Sequence, residues 1–201
     1  MMKALKDVRA CFLVCTLGLL LHSLPGFAQT APSGSGAETP QAVPEREGQH
    51  DFDFLFGSWT VHNRQLVHPL TGSNTWVEFD ATSVARPIWN GRANMDEFEA
   101  DTSSGHIEGM SIRIYNAKAH QWSIYWGSRG SGTIGFPPTV GEFKNGRGEF
   151  YDQEDFNGRS IFARYVWTAA SADSCRWEQA FSTDGGKTWE ANWTMEFTRK
   201  K

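Results

Sequence analysis

Cysteine is almost missing from this chain: of 201 residues only three are cysteine, and two of those, Cys11 and Cys15, fall in the first 28. If that leader is removed, Cys175 stands alone, no internal disulfide can form, and stability must come from apolar packing. No Cys-His signature surrounds Cys175, so it reads as a small buried hydrophobe rather than a nucleophile. An apolar run long enough to cross a bilayer is also lacking. The longest, Ala10 to Leu21, is roughly half of what a spanning helix needs. Lysine and arginine total 19 against 23 aspartates and glutamates, with no basic cluster interleaved with aromatics, which argues against a nucleic-acid partner. His50, His62, His68, His106 and His120 show no H-x-H or H-E-x-x-H spacing, so no metal site is expected. Internal repeats are absent, which excludes propellers and solenoids.

What is present begins with "MMKALKDVRACFLVCTLGLLLHSLPGFAQT". A positive head, an apolar stretch and the small-x-small site Gly26-Phe27-Ala28 make residues 1–28 a secretory signal peptide. Its removal takes three positive charges and one negative with it, moving the net charge from −4 to −6. Export to a periplasm or to the outside of the cell is predicted. Residues 29–48 are Pro, Ser, Gly, Ala, Gln and Glu with almost nothing bulky, the composition of a disordered linker. Residues 49–201 are the size of one domain.

That domain reads as all-β. Ten segments carry strand character: residues 59–66, 74–83, 93–100, 106–115, 121–128, 139–144, 148–156, 159–167, 175–182 and 188–198. Asn90-Gly91, Asn145-Gly146, Asn157-Gly158 and Asp184-Gly185-Gly186 punctuate them with residues that accept the positive φ of tight hairpins. Half-apolar strands joined by short turns are best accommodated by closing the sheet on itself, which removes exposed edges. An antiparallel up-and-down barrel of about ten strands is predicted; a β-sandwich would need longer crossovers.

Period-two alternation sorts the side chains. With Trp59, Trp126, Trp177 and Trp193 inside, Asn63, Tyr165 and Gln179 share their parity. These seven are the candidate ligand-binding residues, an apolar cup with a few neutral hydrogen-bonding groups suited to an apolar or aromatic small molecule. Trp189 and Ala191 fall on the same face as Trp193. The opposite parity carries His62, Arg64, Arg113, Arg164, Arg176, Glu178, Glu190 and Glu196, which read as solvated cross-strand pairs; Asp96-Glu97 reads likewise as a solvated patch. A turned-in strand would instead make His62, Arg64 and Glu178 an acid/base set for lyase or isomerase chemistry without a cofactor. A third possibility is a filled barrel with a structural or interaction role. Cavity volume separates these, since less than about 100 Å³ would admit waters but no metabolite.

At "DFDFLFGSWTV" a resemblance enters. Gly57-Ser58-Trp59 behind the aromatic segment Phe52 to Phe56 resembles the G-x-W opening of lipocalin-like barrels. Together with "WSIYW" and "STDGGKTWE.NW.MEFTR" it is similar to a bacterial family of exported proteins near the lipocalin-like and nitrobindin-like barrels. The resemblance implies an N-terminal plug capping one end with Trp59 at the floor. Nitrobindin-like proteins hold haem through a histidine near the carboxyl end; here the last histidine is His120, so neither haem nor any other cofactor is expected. Ser182, Asp184, Gly186, Thr188 and Trp189 also fit the Asp-box pattern of sialidase propellers. A single copy reads as a hairpin staple, with Asp184 bonding its own turn. The glycine-rich connection Gly127 to Pro138 reads as a rim flap bearing Ile134 and Phe136.

Overall fold

A computed structural model describes residues 47–201; the predicted signal peptide, and the predicted linker up to residue 46, lie outside the described residues. Eleven strands follow one another: β1 (Gly57–Leu66), β2 (Trp76–Ile88), β3 (Ala93–Thr102), β4 (Gly105–Asn116), β5 (Gln121–Ser128), β6 (Thr133–Ile134), β7 (Thr139–Lys144), β8 (Arg147–Phe156), β9 (Arg159–Ser171), β10 (Ser174–Ser182) and β11 (Glu190–Arg199). Each pairs antiparallel with its neighbour, β11 returns to β1, and β4–β5–β7 completes the circuit. The result is a closed cylinder of ten strands, with the two-residue β6 attached beside β5. Asn145-Gly146 and Asn157-Gly158 take positive φ at both residues, the geometry that lets a two-residue hairpin follow strand twist.

Closure is uneven around the cylinder. β5 and β7 share only three paired positions, ending at Ile124↔Thr139, and β7 pairs with β8 only as far as Val140↔Tyr151. Above that point β5 diverges to pair with β6, and residues 152–156 of β8 keep a partner on β9 alone. A lateral slot is therefore left between β5 and β8.

The opposite end is sealed. Two single-turn 3-10 helices, Gly48–His50 and Asp53–Leu55, carry Phe52 into the barrel, where its ring meets Trp122, Phe143, Phe150 and Trp167 at centroid distances of 4.9–6.0 Å. Indole N–H groups tie this plug down, Trp59 Nε1 donating to Leu55 O at 2.7 Å and Trp122 Nε1 to Gly48 O at 3.0 Å. From β11, Arg199 donates to Phe54 O and Phe56 O, and its guanidinium lies 4.1 Å from the Trp59 ring centre. Gly48, assigned by composition to the linker, is already part of this floor.

Three readings of parity are corrected. On β4 the inner face carries Ser111, Arg113 and Tyr115, while Ile112 and Ile114 face outward, so Arg113 is buried rather than solvated. Asp96 is buried as well, because β3 pairs it with Ser111. On β11 the register slips opposite Gln179/Ala180. Asn192 is the extra residue and turns inward, buried, while Ala191 is exposed. Trp189, one turn earlier, therefore packs on the outer wall over Arg164 and Tyr151. A bulge of this kind reverses the facing of everything before it.

Candidate functional site

Above the plug the barrel encloses a cavity of about 120 Å³. Its wall has two chemistries. β9, β10 and β11 supply Tyr165, Trp177, Gln179 and Trp193, with ring centroids 5.2 Å apart for Tyr165–Trp177 and 5.8 Å for Trp177–Trp193. β5 adds Trp126, which stands edge-on to Phe98 at 6.1 Å. Its indole crosses Gly109 on β4, where a Cβ would overlap the ring; only glycine leaves that space.

Of the seven residues expected to hold a ligand, Trp126, Tyr165, Trp177, Gln179 and Trp193 line this cavity. The other two support it from behind. Trp59 belongs to the floor, and Asn63, wholly buried, accepts a hydrogen bond from Trp193 Nε1 at 3.1 Å and so fixes the indole. Gln179 Nε2 donates to Asn192 Oδ1 at 2.8 Å, which orients its amide.

The second wall, from β2, β3 and β4, is polar: Ser83, Asp96, Ser111 and Arg113, none more than 9% exposed. Arg113 Nη1 lies 2.5 Å from Asp96 Oδ1 and donates to Asn94 Oδ1 at 3.1 Å. The same guanidinium sits 5.1 Å from the Phe52 ring centre and 5.5 Å from that of Trp167, so two aromatic rings help to stabilise a charge that is nearly out of contact with bulk solvent. Hydrophobicity counting missed this wall. The signal was available in register: Tyr115, Arg113 and Ser111 pair with Trp122, Ile124 and Trp126 across one hairpin, and whatever faces in on β5 must face in on β4.

The lateral slot is a second, open pocket of about 450 Å³ that lies beside the cavity and shares Ile124, Trp126 and Tyr165 with its lining. Asp152 and Glu154 stand on the inner face of β8 there, alternating with exposed Tyr151 and Gln153. Thr139 Oγ1 donates to Asp152 Oδ2 at 2.9 Å. Asp152 Oδ1 is buried and has no donor among the described residues; the neighbouring group is the Glu154 carboxyl, which can donate only by holding a proton. Burial first, and then the Asp152 charge, push Glu154 up to about 7, and burial raises Asp152 also. Burial and the same two carboxyls raise the Tyr165 hydroxyl, which keeps it protonated. Phe136 overhangs the slot, 84% exposed, and does not close over the cavity.

His62, Arg64 and Glu178 lie elsewhere. β1 is regular, so Trp59, Val61 and Asn63 face in and His62 and Arg64 face out. His62 Nδ1 is 2.9 Å from Asp80 and Arg64 Nε 2.9 Å from Glu78, both on β2. Glu178 pairs with Arg176 and Arg164 on the outer wall of β10 and β9. The exposed pairs between β1 and β2 contribute roughly 0–1 kcal/mol each.

Fold and cavity together define a closed ten-strand antiparallel β-barrel with an aromatic interior. No protein-family model matches the chain, and no curated protein does. Solved structures of similar shape include a redesigned β-barrel, b11L5F_LGL, at 11% identity and TM-score 0.42, covering 77% of this chain and 96% of that one. EF1p2_mFAP2b bound to DFHBI aligns at 12% identity and TM-score 0.42, over 76% and 99% of the two chains. The S-type phycobiliprotein lyase CPES from Guillardia theta aligns at 11% identity and TM-score 0.49, over 79% and 99%.

Proposed function

We propose that this protein is an exported, lipocalin-like barrel that binds an apolar or aromatic small molecule with one ring seated in its interior. The observation that carries the reading is the cavity of about 120 Å³ with seven aromatic side chains on its wall and an open slot beside it. Its volume is close to that of the cavity, on the order of 150 Å³, that admits benzene in an engineered protein core. A larger ligand would keep one ring inside and extend the rest past Trp126 and Tyr165 into the slot. The acid/base reading loses its geometry, because His62, Arg64 and Glu178 all stand on the outer wall.

Titration with toluene, followed by tryptophan fluorescence and by melting temperature, tests the reading. Saturable quenching and a rise in melting temperature are expected, and both should vanish in Ser111→Leu, which fills the cavity from β4. Quenching that is unchanged in a folded Ser111→Leu protein would place the ring outside the barrel and end the proposal. Export is tested separately: expression of the full chain in a bacterium should yield a protein beginning at Gln29 outside the cytoplasm.

A further inference from the structure

Buried ion pairs are poor stabilisers. Taking both charges out of water costs about as much as their attraction returns, and well-packed apolar replacements are often as stable or more so. The Asp96–Arg113 pair is therefore not explained by folding energy, particularly as it stands on the wall of a cavity instead of within close-packed protein. Its hydrogen bonding is also incomplete. Among the described residues, Asp96 Oδ1 touches Arg113 Nη1 but accepts no aligned hydrogen bond, and Arg113 Nε has no acceptor. The two residues are 6% and 3% exposed. Buried polar atoms without partners are few in folded proteins, and each calls for an occupant. Here an orphan acceptor and an orphan donor belong to adjacent side chains that line one small space.

We propose that the Asp96–Arg113 pair is the recognition site for a hydroxyl group on the ring that the cavity holds, so that the ligand class is a hydroxylated aromatic, a phenol. The inference rests on the reading of the barrel as a small-molecule cup and sharpens it. A hydroxyl is the smallest group that both donates and accepts: its O–H goes to Asp96 and its lone pairs take an N–H of Arg113. Ser83 and Ser111 stand on the same wall and add hydroxyls that adapt to either role. A carboxylate would meet Asp96 with like charge, and an ammonium would meet Arg113, so the neutral, two-way group fits best. The remaining wall, of Trp126, Trp177 and Trp193, takes the ring itself.

Phenol and toluene are nearly the same size, and their comparison isolates the hydroxyl. Hydrogen bonds to charged partners predict that phenol binds the wild-type protein about ten-fold tighter than toluene, or more. In the double variant Asp96→Leu/Arg113→Met, which removes both charges together, the preference should reverse; the melt should stay cooperative, with a lower midpoint because buried Asn94 loses the Arg113 donor. Ser111→Ala, a milder change, should keep the fold and narrow the preference. Equal affinities in the wild-type protein would mean that the pair holds water only, and would overturn the inference while leaving the cup intact. A preference for phenol that survives in the double variant would overturn it too. If neither ring binds at all, the cup and the phenol site fall together.

Discussion

Glu154 is a carboxyl group held where its charge is poorly tolerated. Its folded-state value, up to about 7, lies above the 4.5 of the free side chain, so the folded protein keeps a proton that the unfolded chain releases in between. At pH below that window the group costs nothing; as pH rises through it, stability falls, and above about 7 the penalty is complete. Glu154→Gln keeps a donor toward Asp152 and cannot ionise. The variant is therefore expected to match the wild type near pH 4 and exceed it in melting temperature at pH 8. A variant less stable at pH 8 would show that the carboxylate is welcome in the slot. Cys175 illustrates how far single residues were legible. Its lack of partners in sequence gave a buried small hydrophobe, and burial indeed leaves it 3% exposed with its thiol pushed up to about 12. Arg113 was not legible by type, since arginine between two isoleucines reads as a surface residue on almost any strand. Only its pairing partner, Ile124, reveals the facing.

Among the elements, the hairpin from β10 to β11 is the best test of local chemistry acting apart from the site. Asp184 accepts from Lys187 N, Thr188 N, Thr188 Oγ1 and Ser182 Oγ, at 2.7–3.0 Å. These donors, Thr188 foremost, hold its carboxyl well below the usual range. The stabilisation is present in full above about pH 4, where the unfolded aspartate is ionised, and fades as pH falls toward the lower folded value. Asp184→Ala should accordingly lower the melting temperature at pH 7, lose that effect at strongly acid pH, and leave toluene affinity per folded molecule unchanged. Weakened binding with normal melting would put the hairpin in the site. The elements themselves were largely written in the sequence, because Asn-Gly pairs mark turns and alternation marks strands. β2 and β9 run several residues beyond the predicted ends, where apolar residues such as Val84 and Ala169 are exposed and the alternation fades. The bulge at Asn192 left no trace, since one extra residue changes register and not composition.

For the molecule as a whole, the plug decides whether the barrel has a floor. Phe52 is fully buried among four ring systems contributed by β5, β7, β8 and β9, and replacing it by alanine removes contacts to all of them. Such a substitution typically costs about 3–5 kcal/mol, so Phe52→Ala is expected to shift the denaturant midpoint sharply in a chemical melt. A loss under about 1 kcal/mol, far below that range, would mean that the barrel closes without its plug.

The plug is latched by Arg199, and β1 finds its second neighbour only in β11, so the earliest strand of the cylinder must wait for the latest one. Throughout synthesis at the ribosome the growing sheet has two loose margins and no sealed base. Contacts so distant along the chain form slowly. Folding of this domain is thereby tied to the arrival of β11, and a molecule caught before that strand emerges is a ribbon with nothing to contain.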